Sequence, residues 1–501
     1  MNELVKKQLS DMGISHEEVL NHQRRIKSVL AGETQTFLEV IDSCRLDNGG
    51  ILPAKFCRAK EPAAGFVSFI PAAGAASRYF SPLTEFLLAL ETGDSVKVQI
   101  AREELLAKNL PMFALPAIVR DSLLETSQTC LKNNKSILAA IAEPKALQPA
   151  NSLGQDFYEI KEIENDSLSA VERRFYVVPP GQISKFKDRH KRLGSEAEVD
   201  FIEQGHNLST VRFDEKGEYY FEDGLLTAVP AGHGTLLKLM PTIAEKCERQ
   251  HSLFIRNIDN IVGSSESAKA ATNQFLEGHQ KVLEFVRAIR QDIKKDNWTS
   301  ANSVAGQLND HIEVFDRDIK PYENFLKKSS FSDLWLQQIK LFNTQPDTVK
   351  KFYSSENEKE LLKRLYQRPV NSLGQVPNLG HDVGGSAVVC RSPFGPFTIC
   401  LEVPHANPED QEKILKDPRV ATHFNPVFVA AEIMDDISCY NTDDFPLWVL
   451  ARKQRHGKSV LYHETVLYEL LGNNLLANAM FPAVPRLLFN PRKKFIDAGQ
   501  S

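Results

Sequence analysis

The sequence predicts a mixed α/β protein with a mostly parallel central sheet, an N-terminal helical cap and a helical insertion. Three observations carry that expectation. Residues 65–71 form a nearly continuous apolar run, Phe66 to Ile70 between Gly65 and Pro71, with the length of a strand buried on both faces. Strand-like runs at 174–178, 199–202, 210–213 and 253–258 are interleaved with helical stretches. From about Ser265 to about Leu365 the pattern turns helical, with Phe275, Val282, Val286, Ile289 and Ile293 on one face of a long amphipathic helix.

Taken in order, residues 1–60 read as an N-terminal helical segment, with Val19, Ile26, Leu30, Phe37, Val40 and Ile41 near helical spacing. Residues 61–264 hold the first α/β part, opened by the 65–71 strand. A turn of small residues follows, then Ser81 as a helix N-cap and Pro82 at the first helical position. Residues 265–365 are the helical insertion. Residues 366–501 return to α/β character, with strand signals at 386–390 and 397–403 where the sheet is expected to resume. Asn151-Ser152-Leu153-Gly154-Gln155 nearly repeats as Asn371-Ser372-Leu373-Gly374-Gln375, but the surroundings do not match, so coincidence is preferred to a shared loop role.

A chain of 501 residues, 42% hydrophobic, buries a large core and is long enough for two or three lobes. With 60 basic and 65 acidic residues its formal net charge is -5, which offers no overall attraction to nucleic acid or to an anionic bilayer. Neither partner is expected, and an anionic ligand must be held locally. The seven cysteines, Cys44, Cys57, Cys130, Cys247, Cys390, Cys400 and Cys439, are scattered without zinc spacing and read as reduced thiols. No run approaches the ~20 apolar residues of a membrane span, so a cytoplasmic location is the expectation.

The chemistry starts at Pro71-Ala72-Ala73-Gly74-Ala75-Ala76-Ser77-Arg78. Side chains this small let successive backbone N–H groups wrap phosphate oxygens at the start of the next helix. Arg78 adds a permanent charge able to engage two oxygens at once. The plainer alternative is a packed turn with Arg78 solvated. Asp259 closes an apolar strand, where open α/β sheets place ligands, and serves equally as an N-cap. Asn257 and Asn260 also suit turns. His423 and Asn425 suit sugar hydroxyls or a metal as well as a buried structural pair. The loop at 380–385, with Gly384, lies over an acceptor or is an ordinary surface turn.

The loop ending in Ser77-Arg78 resembles the signature of nucleotide-sugar pyrophosphorylases, in which a glycine-rich turn ending in Thr/Ser-Arg holds the triphosphate. Further matches follow in that family's order. Pro144-Lys145 resembles its Pro-Lys element, Phe201-Ile202-Glu203-Gln204-Gly205 its strand-end Gln segment, Pro230-Ala231-Gly232-His233-Gly234 its base-contacting loop, and Ile255-Arg256-Asn257-Ile258-Asp259-Asn260 its metal-binding strand end. Closer still is a bacterial domain-of-unknown-function family (number forty-three-oh-one) related to those enzymes. The chain resembles it over nearly all its length after the first helices, with Thr422-His423-Phe424-Asn425-Pro426 among the matching segments.

The resemblance implies a Rossmann-like sheet of the nucleotide-diphospho-sugar transferase type, with a nucleotide-binding half at 61–264 and a sugar-binding part at 366–501. It implies that a nucleoside triphosphate, UTP favoured, is joined to a sugar 1-phosphate or similar phosphorylated acceptor with release of pyrophosphate. Arg78 and Lys145 would then be catalytic. Ala73, Gly74, Ala75, Ala76, Ser77, Gln204, Gly232, His233 and Gly234 would bind nucleotide. Asn257, Gly384, Glu402, His423 and Asn425 would bind the sugar or other substrate, and Asp259 would hold Mg²⁺ or another divalent cation. The chain departs from the enzymes at Ala75-Ala76 and Tyr79-Phe80, where they carry further glycines, and at His233, where they carry Asn. An inactive nucleotide or nucleotide-sugar binder of the same fold is therefore the main alternative. An NAD-dependent oxidoreductase is less favoured because Leu237 stands where Gly232-His233-Gly234 would need a third glycine. A partner-binding role for the long helices would require Val282, Val286 and Ile289 to be exposed.

Overall fold

The computed structural model describes residues 3–33, 37–57, 61–74, 79, 89, 93–97, 99–100, 103, 144–151, 153–247, 251–312, 317–380, 384–440, 448–455 and 458–493. Seven strands make the central sheet: β1 (Phe66–Pro71), β2 (Val171–Val178), β3 (Val199–Glu203), β4 (Ser252–Arg256), β5 (Val370–Leu373), β6 (Phe428–Glu432) and β7 (Asn478–Met480). The chain is mixed α/β with a mostly parallel sheet, as its alternating apolar runs predict.

It divides into two compact units. The larger comprises Met1–Val67, Gly205–Ile255 and Ala271–Arg486; the smaller comprises Ser68–Gln204, Arg256–Ala270 and Leu487–Ser501. The division cuts β1, so the larger unit carries the strand order β7-β5-β6-β4-β1 and the smaller β1-β2-β3.

In the smaller unit β2 and β3 run parallel, from Arg174 opposite Val199 to Val178 opposite Glu203. Helix α1 (Phe157–Asp166) begins where the Asp156 carboxylate accepts the Glu159 N–H at 2.7 Å. Helix α2 (Ile183–Leu193) ends at Gly194 with φ 66°, the left-handed cap that glycine adopts without strain. Tyr158 lies 4.8 Å from Tyr176 and 5.8 Å from Phe186, and Phe186 lies 5.8 Å from Phe201, ring centre to ring centre, so aromatic packing joins both helices to the strands.

In the larger unit β5 is parallel to β7 and antiparallel to β6. Along helix α3 (Glu266–Lys294) the expected face, Phe275, Val282, Val286, Ile289 and Ile293, is buried. His279 on that helix bonds the Ser252 and Ser372 hydroxyls at 3.0 Å each, and Arg290 reaches Glu432 at 2.6 Å. Burial of Val282, Val286 and Ile289 removes the exposed stripe that a partner-binding role needs. Buried asparagines hold the ends of neighbouring helices: Asn474 donates to the Asn343 carbonyl at 2.8 Å, and Asn478 to that of Leu365 at 2.9 Å.

Three local expectations change. Helices Glu3–Asp11 and His16–Leu30 form as predicted, but Val40 and Ile41 lie in a strand, Val40–Ser43, paired antiparallel with Gly385–Ser392. Over so few residues β-branched positions satisfy a helical period by accident, and tertiary pairing decides. The runs at 386–390 and 397–403 do not resume the central sheet. They form an antiparallel hairpin, Gly385–Ser392 with Gly395–Glu402, in a separate three-stranded sheet, because a two-residue turn at Pro393-Phe394 folds the second run back on the first. The 210–213 run contributes only Ser209–Val211, antiparallel to Ala228–Pro230. The near-repeat has no common role: Asn371 to Leu373 are buried in β5, whereas Leu153 is 81% exposed on a turn that the Asn151 side chain braces. The helix expected after Ser81 and Pro82 lies outside the described residues.

Candidate functional site

In the smaller unit the chain leaves β1 as Ala72-Ala73-Gly74. The Ala72 N–H still donates to the Val177 carbonyl of β2 at 2.7 Å, and the Gly74 carbonyl accepts the Lys145 N–H at 3.3 Å. Lys145 opens a single 3₁₀ turn, Lys145–Leu147. Its ammonium stands 5.3 Å from the ring centres of both Tyr79 and Phe157 and donates to Asp259 Oδ2 at 2.8 Å. The turn that follows β1 and the loop that follows β4 thus converge on one ion pair.

The Asp259 loop is held from two sides. Behind it, Glu164 of α1 accepts the Val262 and Gly263 N–H groups at 2.7 and 3.0 Å on one oxygen. Its other oxygen pairs with Lys161 at 2.7 Å and Arg256 at 3.4 Å, and Lys161 also donates to the Asn260 carbonyl. These charges are buried together, with the one carboxylate shared by both cations. Beside the loop runs the segment after Leu487. Asn260 donates to the Leu488 carbonyl at 2.9 Å and accepts the Asn490 N–H at 2.8 Å, and the Arg492 N–H donates to the Asp259 carbonyl at 2.8 Å. This register delivers Lys493, whose Nζ lies 3.2 Å from Asp259 Oδ2 and 3.4 Å from Oδ1. Burial pushes the Asp259 carboxyl up, but the Lys493 and Lys145 ammoniums outweigh it and hold the group below the usual carboxylate range. Asp259 is ionised and flanked by two cations.

A second cluster lies within the larger unit. Gly232 has φ 87°, and a Cβ there would overlap the Thr465 carbonyl; the Gly234 N–H donates to that same carbonyl at 2.9 Å. Close backbone packing is therefore a sufficient reason for both glycines. Between them His233 meets the Tyr468 ring edge-on, 5.4 Å between centres, and burial drives its pKa down to about 4. The Tyr468 hydroxyl donates to Glu402, whose carboxyl burial holds above its ordinary range. Glu469 accepts the Glu402 N–H at 2.9 Å and pairs with His405. A Cβ on Gly384 would overlap the Asn425 carbonyl and the Phe424 ring.

The structure thus brings Gly74, Lys145 and Asp259 together in the smaller unit, and His233 together with Glu402 in the larger. Ala73 lies on the same turn as Gly74. Gln204 extends β3, its N–H donating to the Val178 carbonyl at 2.8 Å, and Asn257 starts the turn that carries Asp259, its carbonyl accepting the Asn260 N–H at 3.4 Å. Asn425 spends its side chain on backbone: it donates to the Gly374 and Phe428 carbonyls at 2.8 and 3.2 Å and accepts the Val427 N–H at 2.9 Å. His423 is half-buried beside the Thr422 hydroxyl at 2.9 Å, with burial lowering its pKa. Ala75, Ala76, Ser77 and Arg78 lie outside the described residues. Lys493, Tyr468 and Glu469 escaped sequence reasoning; the basic run Arg492-Lys493-Lys494 was the only signal for the first. Among the described residues no group of three or more His, Cys, Asp or Glu side chains is placed to hold a metal, and no helix is long and apolar enough to cross a membrane.

Residues 181–497 match the family described as a domain of unknown function (DUF4301). No curated protein sequence is significantly similar to the chain. Among solved structures, a UDP-glucose pyrophosphorylase mutant from Leishmania major in complex with UDP-glucose is 10% identical with a TM-score of 0.50, over 98% of this chain and 76% of that one. A UDP-glucose phosphorylase from Trypanosoma brucei is also 10% identical, with a TM-score of 0.47 and the same coverage, 98% and 76%. The fold of this chain is the nucleotidyltransferase fold of such pyrophosphorylases.

Proposed function

We infer that this chain, which belongs to the family described as a domain of unknown function (DUF4301), is a cytoplasmic nucleotidyltransferase that joins a nucleoside triphosphate, UTP favoured, to a sugar 1-phosphate. One observation carries the reading: two lysines meet on one buried, ionised carboxylate beside the turn that leaves β1. A paired cationic site of this kind suits a polyphosphate, whose oxygens join the carboxylate as acceptors for the two ammoniums.

A phosphate oxygen of the sugar 1-phosphate attacks the α-phosphorus of the triphosphate; the new P–O bond forms as the α–β bridge breaks, and pyrophosphate leaves. The protein supplies position and positive charge, with no covalent intermediate. Lys145 faces the α-phosphate, and Lys493 shares the charge of the incoming and departing groups. Arg78 takes the β- and γ-phosphates. Ala73 to Ser77 and the loop from Gly232 to Gly234, with Gln204, bind the nucleotide. The neutral His233 recognises by hydrogen bonding and brings no charge to the site. Asn257, Gly384, Glu402, His423 and Asn425 shape the acceptor side. Asp259, the ionised carboxylate, is the residue that would hold Mg²⁺ or a similar cation. When bound, such an ion offsets phosphate charge.

The test is pyrophosphate release by purified protein given Mg²⁺, single nucleoside triphosphates and a panel of sugar 1-phosphates. Release is expected with at least one pair and falls steeply in Lys145→Ala. A second reading, an inactive nucleotide or nucleotide-sugar binder, is favoured by the fact that both Asp259 oxygens already carry ammonium partners. Nucleotide binding without release supports the binder. Absence of any nucleotide binding sinks both readings.

A further inference from the structure

We propose that Tyr79 and Phe157 are positioning residues that clamp Lys145 against Asp259, so that an arriving phosphate recruits Lys493 away from the shared carboxylate while Lys145 keeps its place. The proposal rests on the phosphate-binding reading above. The two lysines differ sharply in their surroundings. The Lys145 side chain is 11% exposed, its ammonium 5.3 Å from each of two ring centres and 2.8 Å from Asp259; that of Lys493 is 54% exposed and meets the same carboxylate at 3.2 and 3.4 Å.

The slot around Lys145 is itself tethered. Tyr79 and Phe157 meet edge to face, 5.3 Å between centres at 73°. Both rings are buried. The Tyr79 hydroxyl donates to the Pro149 carbonyl, and Phe157 opens α1 with its N–H on the Gln148 carbonyl at 3.3 Å. Each ring is thus fixed to the 145–150 segment that carries Lys145. A desolvated aromatic face attracts an ammonium more strongly than a wet one, and fixing the long lysine stem in advance removes an ordering cost at the moment of reaction. Lys493, on an exposed stem, reorients at little cost. The arrangement divides labour: one cation is set, the other exchanges.

The experiment labels the full chain with an amine-acylating reagent across pH 7 to 10 and follows Lys145 and Lys493 by mass spectrometry. In the unmodified protein Lys145 should react at least about tenfold more slowly than Lys493. Tyr79→Leu and Phe157→Leu, which keep bulk but remove a ring, should each speed Lys145 roughly tenfold and leave Lys493 unchanged. Tyr79→Phe keeps the ring and loses only the Pro149 tether, so it should speed Lys145 by no more than about threefold, a partial rescue that general loosening does not produce. In the release assay Tyr79→Leu should lower kcat about tenfold with the triphosphate KM within about twofold. Should Tyr79→Leu fail to fold, Phe157→Leu makes the same comparison. Equal labelling of the two lysines, or a Lys145 rate indifferent to both leucine variants, overturns the clamp. The expected labelling pattern in a chain that neither binds nucleotide nor releases pyrophosphate supports the clamp and overturns the nucleotidyltransferase reading instead.

Discussion

In the smaller unit, charge faces charge: an ionised Asp259 sits between Lys145 and Lys493, and behind it Glu164 lies between Lys161 and Arg256. In the larger unit the polar groups are quenched: His233 is neutral, Glu402 is held above its ordinary range, and His405 is spent on Glu469. A cluster with two cations to one anion carries positive charge in excess. A cluster built around the neutral His233, with its carboxylates already bonded to Tyr468 and His405, leaves no spare cation for an anion. The contrast teaches that the electrostatic character of each cluster is set by burial as much as by residue type.

The strongest way to break the contrast is Lys145→Ala, which removes the buried cation. Pyrophosphate release is expected to fall about 10²- to 10³-fold in steady-state assays. Gly232→Ala attacks the neutral cluster through the backbone: with φ 87° and the Thr465 carbonyl in the way, it should cost about 3 kcal/mol in a urea titration. Acid comes next. The unfolded chain protonates His233 near 6.5 and the native chain only at about 4, so stability falls as pH drops through that window; His22 and His279, driven down to about 3, act in the same sense. Replacement of His233 by Asn should flatten the fall by roughly 1–3 kcal/mol. Asp259 behaves oppositely to a quenched acid: its folded pKa lies below 3.8, so its contribution persists above that value and disappears as pH falls through the folded pKa. Lys493→Ala, at an exposed side chain, should change stability by no more than about 0.5 kcal/mol. Yet it should weaken triphosphate binding and reduce its salt dependence, read by calorimetry at two ionic strengths. Glu402→Gln should likewise change stability little, by less than about 0.5 kcal/mol, because an amide still accepts the Tyr468 hydroxyl.

The alternation of buried apolar runs made the fold class legible, since β1, β2, β3 and β4 all fall on runs visible in the sequence. The strands β5 and β7 were not legible. Their buried Asn371, Ser372 and Asn478 look polar until Asn371 is seen bonded to the Leu471 carbonyl at 2.9 Å and His279 to Ser372 at 3.0 Å. Lys145 and Asp259 could be named individually from sequence. Their pairing could not, because contact between residues 114 apart depends on strand order rather than spacing. Asn425 shows the converse: a residue type suited to sugar hydroxyls whose side chain the backbone has already claimed.

The register between Asn260 and the segment after Leu487 has a consequence in time. Lys493 is made 234 residues after Asp259, so at about 5–20 residues per second a ribosome needs roughly 10 to 50 s to supply the second ammonium. Through that interval the nascent carboxylate has Lys145 alone, and Asn260, Asp259 and Ile261 lack the backbone partners that Leu488, Asn490 and Arg492 later provide. The Asp259 loop therefore gains these partners only once the segment after Leu487 has been made.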